Sequence, residues 1–328
     1  MVANRLSIGC EADHKVSGPA RKAIEDLRRE LAAFLRFAVA AAPALETLKS
    51  HGEPGYVRSL VTYMSDDGAV IPAYLLVPEG DGPFPAVLVH HQHNNEYHLG
   101  KSEPAGVAGD PLQAFGPALA ARGIVVLAPD SICFEDRRRQ RSGCEPDESD
   151  PLEHHNEFAS RLLSGDLLSR KVLSDSALAV SVLGSLSAVR GDRIGMLGHS
   201  YGGSTVLFHA PLDPRVRFAC VSGAACSYRR RFAAGTGIEL AQIIPGFTNR
   251  FDLEDLVRCM APRRLLLASA TRDPYSQDAD QIERAARPAY QALGATDSLE
   301  HLRVAATHPL TNDRFQRIVE WTTAHSTA

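Results

Sequence analysis

Few of the devices that anchor or staple unusual chains occur in this sequence of 328 residues. Its six cysteines, Cys10, Cys133, Cys144, Cys220, Cys226 and Cys259, are scattered and form no C-x-x-C pair. That spacing offers no zinc-ribbon or thioredoxin-type motif, and reduced thiols in a cytoplasmic protein are the expectation. No uninterrupted apolar stretch approaches the ~20 residues a bilayer demands, so no membrane span is expected. Acidic and basic residues nearly balance, at a formal net charge of -4. This gives no electrostatic case for nucleic acid or a membrane surface as partner. Aromatic residues amount to 6%, too few to suggest a stacking platform for a polysaccharide. No internal repeat, low-complexity tract or long linker divides the chain.

What is present is core-forming material. Hydrophobic residues make up 44%, enough for one large α/β domain. Residues 1–52 read as an N-terminal helical extension, because Leu27, Leu31, Phe34, Leu35 and Ala38 recur at helical spacing. Arg28-Arg29 and the alanine-rich run behind them mimic a secretion signal. Arg36 interrupts that run, however, and it starts far from Met1.

Residues 53–328 read as a single catalytic domain. Tyr56 to Tyr63 and Val70 to Val77 alternate as two antiparallel strands around the Asp66-Asp67-Gly68 turn. Continuous apolar strands are expected at Pro85–His90, Gly123–Ala128, Arg193–Leu197, Arg217–Val221, Arg264–Ala268 and Leu302–Ala305. Helices fall between them, around Leu112 to Arg122, from a Ser174 cap through Leu186, and on a last segment carrying Phe315, Ile318, Val319 and Trp321. Such alternation implies a mostly parallel, eight-stranded twisted sheet with helices on both faces. Residues 131–170, long, charged and weakly periodic, read as an excursion over the active-site edge.

The most informative segment is Gly198-His199-Ser200-Tyr201-Gly202, directly behind the strand ending at Leu197. G-x-S-x-G between a buried strand and a helix is the nucleophile-elbow pattern of serine hydrolases. A serine hydroxyl needs a base, and the base needs an orienting acid. In open α/β sheets chemistry gathers beyond the carboxyl ends of the strands. Asp273 follows the strand ending near Ala270, and His308 follows the one ending near Ala306. The order Ser200, Asp273, His308 is that of α/β-hydrolases, with His308 as base and Asp273 fixing its tautomer. Asp278 is the rival acid. His301 is set aside because it precedes a strand rather than following one.

An oxyanion hole would draw one backbone N–H from Tyr201 and a second from Gln92 or His93, between which the sequence does not choose. His91 in the same loop is a candidate substrate contact. The crowding of His90, His91, His93 and His98 invites a zinc reading. No cysteine or well-spaced carboxylate completes such a site, so no metal and no cofactor are expected.

These segments together resemble the α/β-hydrolase superfamily, in particular the dienelactone-hydrolase-like and acetyl-xylan-esterase-like bacterial serine esterases. The resemblance covers residues 53 to 325. It is carried by Pro85 through His91, Asp130 with Phe134-Glu135-Asp136-Arg137, Asp175, Arg193 through Gly203, Ala261-Pro262-Arg263-Arg264, Asp273 and His308. Two departures matter. Relatives often have His-Gly-x-Gly where this chain has His91-Gln92-His93-Asn94, and dienelactone hydrolases proper use a cysteine where Ser200 stands. A carboxylic ester cleaved through an acyl-enzyme on Ser200 is the leading reading, and the low aromatic content favours a small or medium soluble one. Amide, peptide or thioester cleavage, acyl transfer, and a non-catalytic binding protein of the same fold are the alternatives.

Two arginine groups, Arg137-Arg138-Arg139 with Arg141 and Arg229-Arg230-Arg231, follow strands that should end at the active-site rim. Arg138 and Arg230 are therefore candidate contacts for an anionic substrate. Pairing with Glu145, Asp147, Glu148 and Asp150 competes with that reading. Assembly into a homo-oligomer stays open.

Overall fold

Strand-forming runs that are apolar at every position must be covered on both faces, and this requirement organises the molecule. The computed structural model describes residues 12–327. Its strands are β1 (Leu45–Glu53), β2 (Tyr56–Met64), β3 (Val70–Pro78), β4 (Phe84–His90), β5 (Val125–Pro129), β6 (Val189–His199), β7 (Val216–Ser222), β8 (Arg264–Ala270) and β9 (Leu299–Val304). They form one sheet in the order β1-β2-β3-β5-β4-β6-β7-β8-β9. The β1/β2, β2/β3 and β3/β5 pairs are antiparallel, and every pair from β5/β4 to β8/β9 is parallel. The described sheet thus has nine strands rather than the expected eight. The extra one, β1, lies in a segment expected to be helical.

The helices are α1 (Ala12–Phe34), α2 (Phe115–Ala120), α3 (Asp150–Leu163), α4 (Leu168–Ser185), α5 (Tyr201–His209), α6 (Tyr228–Ala234), α7 (Leu253–Met260), α8 (Ala279–Ala292) and α9 (Asn312–Thr327). Alternate residues of β4 serve opposite cores, as the pleat dictates. Val87 and Val89 pack with Phe115, Leu119, Phe315 and Ile318 of α2 and α9. Ala86 and Leu88 belong to the larger core with Leu31, Val180, Leu183, Val206 and Leu256 of α1, α4, α5 and α7. The N-terminal helix is therefore part of that core. Arg28 ties it down by donating to the carbonyls of Cys259 and Ala261.

Ser174 caps nothing. It lies inside α4, which begins at Leu168 behind Leu167, and its hydroxyl donates to Asp66 Oδ2 at 2.8 Å. The 131–170 excursion contains α3 and a short 3-10 turn at Glu135–Arg137. Cys133, Cys144, Cys220, Cys226 and Cys259 are free thiols. Cys10 and the start of the expected extension lie outside the described residues. Among the described helices, none is long and apolar enough to cross a membrane.

Candidate active site

β6 delivers Ser200 to the end of the central parallel strands, and the turn into α5 is sharp enough to strain it. Ser200 has φ 56° and ψ -117°, a backbone region that costs a non-glycine residue of order 1–3 kcal/mol. Its N–H donates to Ser222 O of β7 at 2.8 Å. The neighbouring glycines are there for space. A Cβ at Gly198 would lie 2.2 Å from the Gly202 carbonyl carbon, and one at Gly202 would lie 2.3 Å from His90 O.

Ser200 Oγ lies 2.8 Å from His308 Nε2, and His308 Nδ1 lies 2.9 Å from Asp273 Oδ1. Asp273 is fully buried and accepts from the Tyr275 N–H at 2.9 Å and the Ser276 hydroxyl at 2.6 Å. Burial pushes its carboxyl up. The hydrogen bond and charge of His308, with Ser276 and Tyr275, outweigh that and hold it below the usual carboxylate range. An ionised Asp273 keeps the proton on Nδ1, leaving a lone pair on Nε2 to face the serine hydroxyl. The imidazole is held by its neighbours on the protein side. His199 stacks on it with ring centres 4.9 Å apart, Tyr275 meets it edge-on at 4.8 Å, and Arg314 donates to the His308 carbonyl at 2.6 Å. Asp278 points elsewhere, accepting from the Ser227 N–H and hydroxyl. His301 lies within β9 and contacts Ser269 Oγ at 2.7 Å.

Ser200, Tyr201, His93 and His308 line one cavity of about 330 Å³. Of the two loop residues expected to offer an oxyanion N–H, only His93 lines it. Gln92 is turned inward, its amide donating to Glu103 Oε1 at 2.9 Å and accepting from Gln113 at 3.1 Å. His91 is not a lining residue either. Both of its ring nitrogens are used internally, Nδ1 donating to Gln92 O at 2.7 Å and Nε2 accepting from the Ser131 N–H at 3.1 Å.

The two arginines nominated for substrate lie off the cavity. Arg138 is buried and spends its guanidinium on Asp150 at 2.7 Å and on the carbonyls of Gly143, Glu145 and Glu135. Its neighbours pair as well, Arg137 with Asp175, Arg139 with Glu157 and Arg141 with Asp147. Arg230 donates to Gln277 at the outer surface, at 2.7 Å. On α6 it is Arg231 that lines the cavity. Successive helical residues point about 100° apart, so a run of three arginines can send only one to a given face.

Two further wall residues went unrecognised, Glu239 and, behind it, His154 of α3. His93, His154 and Glu239 bring potential ligand atoms within 4.8 Å of one another. His93 Nδ1, however, accepts the Asn95 N–H at 3.0 Å. The proton of neutral His93 must then sit on Nε2, facing Tyr97 Oη at 2.8 Å, so that nitrogen has no lone pair for an ion. Burial lowers the His93 pKa, which favours this neutral form. Burial also pushes the Glu239 carboxyl up, but His154, 3.2 Å away, and His93 outweigh it and keep it low. The cluster is a hydrogen-bonded wall of the cavity.

The fold and this constellation define the class, an α/β-hydrolase with a serine elbow. The acetyl xylan esterase (AXE1) family matches over residues 39–239. A sequence relative is the provisionally assigned hydrolase YtaP of Bacillus subtilis (strain 168), 31% identical over 247 residues, spanning 72% of this chain and 77% of the relative. A crystal structure of a provisionally assigned acetyl xylan esterase from Bacteroides fragilis is similar at TM-score 0.70 and 18% identity, over 88% of this chain and 76% of the other. The glucuronoyl esterase from Solibacter usitatus is similar at TM-score 0.62 and 18% identity, over 91% and 92%. The chain belongs to the acetyl xylan esterase family and is a carboxylic-ester hydrolase.

Proposed function

We propose that the protein hydrolyses a soluble ester of a short acyl group through an acyl-enzyme on Ser200. The observation that carries this reading is the continuous chain from Ser200 Oγ to His308 Nε2 and from His308 Nδ1 to Asp273, at 2.8 and 2.9 Å. His308 takes the serine proton as Oγ attacks the ester carbonyl carbon. The carbonyl oxygen becomes an oxyanion, met by the N–H groups of Tyr201 and His93. The C–O bond to the alcohol breaks, and His308 returns the proton to the departing oxygen. Water repeats the sequence on the acyl-enzyme, releasing the acid and restoring Ser200.

A narrow apolar recess of about 20 Å³, lined by Val172, Leu173, Thr205 and Phe208, adjoins the cavity at Tyr201 and Ser204. It has room for about one water-sized group, which matches an acetyl methyl. That favours acetyl esters over medium-chain ones.

Purified protein should turn over 4-nitrophenyl acetate and be labelled one-to-one by a fluorophosphonate, with both lost in Ser200→Ala. Labelling that persists in Ser200→Ala, or folded wild-type protein that neither labels nor hydrolyses acetyl esters, would overturn the assignment.

A further inference from the structure

Among the described residues Arg138, Arg231 and Arg314 are the buried arginines. Arg138 meets Asp150, whereas Arg231 and Arg314 meet no carboxylate. Of the three, Arg231 is the one that lines the cavity holding Ser200, with 4% of its surface exposed. Its hydrogen bonds all end on neutral oxygens: Nε to Cys226 O at 3.1 Å, Nη1 to Gln242 Oε1 at 2.9 Å and to Gly237 O at 3.5 Å. Among the described residues Nη2 has no hydrogen-bond partner and no carboxylate pairs with the guanidinium. Glu239 faces the same cavity, but its oxygens are engaged by His154 at 3.2 Å and lie 3.7 Å from His93, outside pairing distance of Arg231. A desolvated cation without an anion is costly, and one that faces an open cavity, unlike the enclosed Arg314, can regain an anion from a bound ligand.

The alcohol portion is the part placed to carry it. His308 must protonate the departing oxygen, so that portion lies beside His308, with the recess at Tyr201 and Ser204, which Gln242 also lines, left for the acyl group. From His308 the wall continues through the Tyr275 ring at 4.8 Å to Arg231, whose guanidinium carbon lies 5.7 Å from the centre of that ring. We infer that Arg231 binds a carboxylate on the alcohol portion of the substrate, making the enzyme selective for short-acyl esters of hydroxy acids. This rests on the esterase reading above and adds a substrate class to it. Arg231 acts in binding, with the forked donors that suit a carboxylate.

The test compares kcat/KM for 3-acetoxybenzoate with that for its neutral methyl ester, in wild type, Arg231→Gln and Arg231→Lys. Wild type should prefer the anion. Arg231→Gln should lose about ten- to a hundredfold of that preference, as loss of a charge-assisted bond does, and Arg231→Lys should keep part of it. An unchanged ratio in Arg231→Gln would overturn the inference. So would an anion preference found instead on the acyl side, with 4-nitrophenyl hemisuccinate over 4-nitrophenyl butyrate. Should the variants not fold, wild-type inhibition by 3-hydroxybenzoate and 3-hydroxybenzamide decides: stronger inhibition by the acid supports the assignment, and equal inhibition refutes it. If wild type hydrolyses neither acetate, the esterase reading fails, and calorimetric binding of 3-hydroxybenzoate against 3-hydroxybenzamide still tests Arg231.

Discussion

Gly202→Ala is the most direct probe of how the elbow and the oxyanion loop are locked together. The added Cβ would lie 2.3 Å from His90 O, 2.7 Å from His90 C and 2.8 Å from His91 O. All three atoms are backbone, so no rotamer change relieves the clash. Ordinary contact needs roughly 1 Å more than the tightest of these distances, and only separation of the β4 end from the start of α5 can supply it. That separation moves His93, two residues past His91, relative to Ser200 and Tyr201. A displacement of about 1 Å in a catalytic constellation costs on the order of a hundredfold in rate, and overpacking costs about 1–3 kcal/mol of stability. The assay is kcat/KM on 4-nitrophenyl acetate beside urea unfolding. Gly184→Ala serves as control, because Gly184 is on the exposed side of α4 and its Cβ meets nothing nearer than Ile194 Cδ1 at 3.6 Å. The control should gain about 0.5–1 kcal/mol with unchanged activity. A Gly202→Ala enzyme within about threefold of wild type would show that the loop and elbow are not coupled.

Asp273→Asn should cost about 10⁴-fold in kcat by releasing the imidazole tautomer, and a loss below about tenfold would reassign the orienting acid. The Asp273 pKa is depressed in the folded state, so its stabilising contribution is present above the unfolded value of about 3.9 and vanishes as pH falls through the folded one. The stability gap between wild type and Asp273→Asn should therefore close on acidification below about pH 4. Glu103 behaves oppositely: burial pushes its carboxyl up to about 7. Its favourable contribution is complete below the unfolded value of about 4.3 and drains away as pH rises toward the folded one. Glu103→Gln should thus gain stability over wild type, by up to a few kcal/mol, between about pH 5 and pH 8 in urea titrations. A pH-independent difference would refute it.

The parts of the fold legible in the sequence were those with a clear hydrophobic period. β2, β3 and the continuous runs of β4 to β8 declare themselves, and Ser200, Asp273 and His308 follow from their places just beyond strand ends. β1 did not, because Leu45–Glu53 is an edge strand exposed at most positions and shows no alternation. α3 escaped for a different reason. Its buried residues are Asp150, His154 and Glu157, so the inward stripe is polar, while Leu152 and Leu163 face solvent. A search for apolar periodicity is blind to such a helix, although Asp150-Pro151 with Glu153 is a helix-start signature that could have found it. α4 gave no true cap, since Leu167 supplies no side-chain bond. Arg231 was missed by one residue, a choice that only the helical phase of α6 resolves.

Ser200 and His308 stand 108 residues apart in the chain, and the carboxylate between them comes from yet another strand. On the relay proposed here, no short fragment and no early folding unit contains working chemistry. A chain emerging from the ribosome stays inert until its last strand has docked and residue 308 has cleared the exit tunnel. Regain of ester cleavage during refolding would then report docking of the strands that carry Asp273 and His308, rather than formation of the elbow alone.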